Sequence, residues 1–138
     1  MSGRWRAAIP ILVAICLAAC SPAAASAAGF VVTLRAPTHH PRADTNWWIT
    51  VTARTSSGRA LRASAFYQFL FQGQVVSTQY PSPNGGPTRH RPWTFTGRYR
   101  DAVVWPKRSV GVPLTFRVVV RVRGRGTQHA DYRVRVRR

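Results

Sequence analysis

The chain has 138 residues, with 21 Lys and Arg against three Asp and no Glu, for a formal net charge of +18. So few carboxylates leave little for a paired-carboxylate acid/base mechanism. No Gly-x-Ser-x-Gly elbow, phosphate-cradling Gly loop or His-Glu-x-x-His helix is present either. Enzymatic activity is therefore not expected, and no catalytic residue or cofactor is assigned. No metal site is assigned: His39 and His40 are neighbours that cannot easily share one ion from a strand, and His90 and His129 are distant in sequence.

The N-terminus reads as an export signal. Arg4 and Arg6 precede an apolar run from Ala7 to Ala19, and small residues follow. That run is short for a membrane span, which wants about 20 apolar residues, and Pro10 interrupts it. Two cleavage sites are open. Leu17-Ala18-Ala19-Cys20 resembles the lipobox of bacterial lipoproteins, which implies cleavage before Cys20 and lipidation of its thiol. Ala25-Ser26-Ala27 would instead release a soluble protein. The expected organisation is a signal over residues 1–19 (or 1–27), a linker over 20–29 and one β domain over 30–138. The protein is expected outside the cytoplasm, lipid-anchored at the membrane or secreted.

Beyond the signal the domain contains no Cys, since Cys16 and Cys20 are the two in the chain. An exported domain without disulfides depends on its core. Setting aside Arg4 and Arg6 leaves 19 basic residues against Asp44, Asp101 and Asp131, a net of +16. Such a domain should adhere to polyanions. A GC-rich genome would account for Arg over Lys but not for the scarcity of acids.

In chain order, Phe30–Arg35 is a short β-prone run, closed by Pro37 and a polar turn through Asp44. Trp47–Arg54 puts Ile49 and Val51 on one face and Thr50, Thr52 and Arg54 on the other. Adjacent Trp47 and Trp48 cannot both point inward, so one is exposed, as a sugar-stacking or partner surface. The run from Ala65 to Gln72 is apolar on both faces, as suits a central strand. Val75–Tyr80 follows a Gly turn. The segment 81–92 holds four Pro and two Gly and is longer than typical sandwich connections. Loops of that length are usually functional or disordered, and Arg89, His90 and Arg91 make this one a basic candidate. Trp93–Tyr99 alternates, and Ala102–Trp105 continues it after a break near Asp101.

The last two strands, Leu114–Arg123 and Gln128–Arg137, form a hairpin around Gly124-Arg125-Gly126-Thr127. Alternation places Phe116, Val118, Val120 and Val122 inward with Tyr132, Val134 and Val136. It places Arg117, Arg121, Arg123, Arg133, Arg135 and Arg137 outward, a candidate anion-binding face on two adjacent strands. Like charges directly opposite destabilise a sheet, so counter-ions or a ligand should neutralise this face. Guanidinium forks match phosphate geometry. No helix-turn-helix, RNP-type or zinc module appears, so sequence-specific nucleic-acid binding is not expected.

About seven short strands with Pro/Gly turns predict an all-β sandwich. Pro92-Trp93-Thr94-Phe95-Thr96-Gly97, Arg100-Asp101, Trp105-Pro106 and Gly111–Arg117 resemble small exported immunoglobulin-like proteins of actinobacteria. The resemblance implies a single immunoglobulin-like sandwich, here without the Cys pair, and transfers no functional residue. The expected function is non-catalytic docking on an anionic surface, a lipid headgroup layer or a cell-wall polymer. The alternative is an accessory module that binds an envelope protein through a sheet edge or the exposed Trp, with its charge serving solubility.

Overall fold

Period-two hydrophobic alternation resolves into eight strands in a computed structural model, which describes residues 29–83 and 90–138. The signal, Cys20 and Arg89 lie outside the described residues. The strands are β1 (Val31–Arg35), β2 (Asn46–Arg54), β3 (Arg62–Phe71), β4 (Gln74–Gln79), β5 (Trp93–Thr96), β6 (Arg98–Val104), β7 (Pro113–Val122) and β8 (Gly126–Arg135).

They form two antiparallel sheets of a sandwich without disulfides. The smaller sheet has the order β1-β2-β6, and the larger β4-β3-β7-β8, with β5 also paired to β3. As its two-sided apolar pattern requires, β3 is central: β7 lies along one side, and β4 and β5 share the other. Inward residues of both sheets meet in one core. Trp47 packs edge-on against Trp105, Phe116 and Tyr132 at ring separations of 5.5–5.6 Å, and Phe69 closes on Trp105 and Phe116.

One expected boundary is corrected. The chain does not break near Asp101, which lies inside β6; the break is at Gly97, where it passes from the larger sheet to the smaller. The Gly97 N–H donates to the Leu61 carbonyl, and its own carbonyl accepts from the Ala53 N–H, both at 2.9 Å. Gly97 has φ +70°, a left-handed conformation that glycine adopts without steric cost.

The two outer strands of the larger sheet end differently. Part of the β8 edge is covered by the β1–β2 connection: the Arg135 and Arg137 N–H groups donate to the His39 and Pro41 carbonyls, and Ala43 N–H donates to Arg137. His39 Nδ1 adds a bond to the Arg133 carbonyl at 2.6 Å. No described strand pairs with the outer side of β4. It carries no charged residue, and Val75 and Val76 are 48% and 59% exposed.

Candidate functional site

The hairpin alternates as expected: Phe116, Val118, Val120, Val122, Val134 and Val136 are buried, while Arg121, Arg123, Arg133, Arg135 and Arg137 are exposed. The register corrects the charge argument. Arg117 faces Asp131, Arg121 faces Thr127, and Arg133 and Arg135 face Thr115 and Pro113, so no two arginines are directly opposite in the β7–β8 ladder. This register follows from the short turn, in which Val122 pairs Gly126 and Arg125 N–H donates to the Val122 carbonyl. Loop length fixes hairpin register, and here it staggers the cations instead of stacking them.

At mid-hairpin, Arg117 clasps Asp131 with two parallel bonds, Nε to Oδ1 at 2.7 Å and Nη2 to Oδ2 at 2.8 Å. The fork holds the Asp131 carboxyl below the usual carboxylate range and raises Arg117. The pair is partly exposed, so it stabilises the fold by about 1 kcal/mol or less. It also removes Arg117 from the free cations. The six outward arginines therefore do not form one patch: Asp131 divides Arg121 and Arg123, near the turn, from Arg133, Arg135 and Arg137.

At the turn end the structure assembles a group that sequence alternation does not reveal. Arg62 from the start of β3 and Arg125 from the turn join Arg121 and Arg123 around an open concavity of 680 Å³. Arg125 Nη1 donates to the Gly29 carbonyl at 3.0 Å, so the first described residue lies at this same end. All four arginines are exposed and pair with no Asp. At the opposite end, Arg133 and Arg135 share a second concavity with His39 and His40. Arg137 forms an isolated bridge with Arg42. His90 and Arg91 are exposed just beyond residues 84–89 and join neither group.

The three Asp are all accounted for. Asp131 holds Arg117, and Asp44 faces Lys107 at 3.5 Å on the surface. Asp101 is 4% exposed between the sheets. Its Oδ2 accepts from Tyr67 Oη at 2.8 Å and the Ser82 N–H at 3.3 Å, and its Oδ1 accepts from the Ala102 N–H. Tyr99 Oη donates in turn to Tyr67 Oη at 3.1 Å. Burial raises the Asp101 carboxyl despite these donors, and it raises both tyrosines. This network ties β6 of the smaller sheet to β3 of the larger one.

The outer face of the smaller sheet is also basic. The expected exposed tryptophan is Trp48, at 44%, while Trp47 is 2% exposed in the core. The guanidinium of Arg100 lies 4.4 Å from the centre of the Trp48 ring.

No family model matches the chain, and no curated protein matches it. Among solved structures it is similar to Spo0M, a sporulation control protein from Bacillus subtilis, with a TM-score of 0.50 and 9% identity. The match covers 80% of this chain and 50% of that one, so the chain spans about half of that structure. At this identity the likeness supports the sandwich fold and nothing further.

Proposed function

We propose that the chain is an exported, non-catalytic, immunoglobulin-like domain, tethered through a lipidated Cys20, that docks its turn end on anionic lipid headgroups. The observation that carries this reading is the meeting of Arg62, Arg121, Arg123 and Arg125 beside Gly29, where a tether from Cys20 would arrive. The nine residues from Cys20 to Gly29 reach at most about 30 Å when fully extended, so the cluster stays near any bilayer that holds the anchor. Two acyl chains anchor stably where one does not. Basic side chains near an anionic surface add about 1 kcal/mol each.

In the unlipidated Cys20→Ser background, changing Arg62, Arg121, Arg123 and Arg125 to Ser should lower retention on anionic vesicles at least tenfold. Changing Arg133 and Arg135 to Ser should lower it less. Equal losses from the two variants would count against docking by the turn end, and no loss from either would count against the arginines altogether.

A second reading, an accessory module that binds a partner protein, is favoured by β4. Its edge has no charge to discourage strand addition, and an apolar groove of 370 Å³ beside it is lined by Phe69, Phe71, Val104, Trp105 and Leu114. A partner strand seated there would bind with little salt dependence. Val76→Lys should abolish such co-purification from envelope fractions while leaving vesicle retention intact; co-purification that survives Val76→Lys rules out this edge.

A further inference from the structure

The outer face of the smaller sheet presents three guanidinium groups that no carboxylate neutralises. Thr50 on β2 pairs with Arg35 on β1 and with Arg100 on β6, so the three side chains form one row across the sheet. Arg98 stands in the next row, opposite Thr52. Arg35, Arg98 and Arg100 are exposed, none pairs with an Asp, and together with Trp48 and Thr50 they line a shallow concavity of 570 Å³.

Two features distinguish this face from an ordinary solvated one. Arg100 is held over the Trp48 ring, an attraction estimated at about 0.5–1 kcal/mol at exposed sites. An exposed arginine otherwise loses much of its rotamer freedom when it grips an anion, and Trp48 has already restricted that freedom. The second feature is spacing. Arg98 and Arg100 are two residues apart on one strand, about 6.8 Å, and Arg35 lies two strands from Arg100, about 9.6 Å. Forks rooted at such spacings can each take a different one of successive phosphates along a chain.

We propose that this face is a second anion site, distinct from the turn-end cluster, and that it binds the phosphates of a linear polyanion. The site lies on the outer face of the other sheet of the sandwich, and its assignment does not depend on bilayer docking. Arg100 is its preorganised contact, Arg98 and Arg35 take neighbouring phosphates, and the Thr50 hydroxyl can donate between them.

Trp48 supplies a local signal: Trp47 and Trp105 are buried in the core, Trp93 is half-buried, and Trp5 lies in the N-terminal segment. The test titrates the full chain with inorganic polyphosphate and follows tryptophan emission. Comparison with a Trp48→Phe variant assigns the response to this position. In wild type the emission should change saturably, and its half-point should move to higher ligand concentration as salt is added.

Changing Arg35, Arg98 and Arg100 to Ser should weaken this binding about tenfold or more. It should flatten the slope of log affinity against log salt by about 2, at about 0.7 per phosphate contact for a single-stranded chain. Arg100→Lys keeps the charge and the fold, so it should preserve the slope while lowering the affinity. The turn-end quadruple Ser variant should retain the full Trp48 response, which separates failure of this site from failure of bilayer docking. An unchanged Trp48 titration in the Arg35/Arg98/Arg100 variant would overturn the site. If that variant instead loses only its retention on anionic vesicles, the face takes headgroups and the polymer assignment is wrong. If orthophosphate matches polyphosphate at equal phosphate concentration, one phosphate suffices and the multi-contact assignment is also wrong.

Discussion

Asp101→Ala is expected to destabilise the domain by roughly 2–3 kcal/mol, since one buried and two half-buried donors lose their acceptor at about 1 kcal/mol each. Those donors are the Tyr67 hydroxyl and the Ser82 and Ala102 N–H groups. Tyr67→Phe should cost about 1.5–3 kcal/mol, the range for a hydrogen bond to a charged group. It also leaves the Tyr99 hydroxyl without its acceptor.

The same carboxyl sets an unusual pH dependence. Burial raises its folded pKa above the unfolded value of about 3.9, so the folded state binds the proton more tightly. Stability linked to Asp101 is therefore fully present below about pH 4 and lost as pH rises through the folded pKa. Asp131 acts oppositely and more weakly. Its folded pKa is lowered, chiefly by Arg117, so its contribution is present above about pH 4 and lost as pH falls through the folded value. With no Glu and three Asp, few other groups can drive acid unfolding. Denaturant titrations across this range should show a maximum near pH 4, with the decline above it absent in Asp101→Asn. Wild-type stability that rises from pH 4 to pH 7 would refute the assignment to Asp101.

Gly97→Val should cost about 3 kcal/mol or more, combining left-handed backbone strain with overpacking. A Cβ at Gly97 would lie 2.8 Å from the Ala60 Cβ, closer than carbon atoms tolerate, at φ +70°. Gly97→Ala should cost about 2 kcal/mol. Pairing it with Ala60→Gly should restore only the contact portion, leaving about 1 kcal/mol of backbone strain. The measurement is a double-mutant cycle of denaturant midpoints. Gly97→Ala within a few tenths of a kcal/mol of wild type would mean that the sheet-crossing corner is soft.

Sequence alternation reveals which faces of β2 and β7 are buried, because each repeats with a period of two, and the two-sided apolar run of β3 marks it as central. Alternation also predicts the apolar side of the hairpin. Parity alone requires Trp47 and Trp48 to part company, and because Trp47 shares its face with Ile49 and Val51, Trp48 is the one outside. Asp101 reads as a strand break because Asp is depleted in strands; its donors Tyr67 and Ser82 are 34 and 19 residues away. The stagger of the hairpin arginines depends on turn length, which composition does not encode. Arg62, Arg125 and Gly29 come together through tertiary packing, so the turn-end cluster leaves no local signature. Arg35, Arg98 and Arg100 are individually ordinary outward arginines on separate strands, and pairing to β2 gathers them.

Docking on headgroups through the turn end rests on electrostatics, and salt is its most direct probe. Protein carrying Cys20→Ser, and so without the lipid anchor, should be retained on vesicles of anionic lipid at 50 mM salt and released severalfold by 200 mM, where screening shortens to less than about 10 Å. The turn-end quadruple variant should show much less of that dependence. Retention of the Cys20→Ser protein that is equally strong at both concentrations, or equally strong on neutral vesicles, would contradict the electrostatic account.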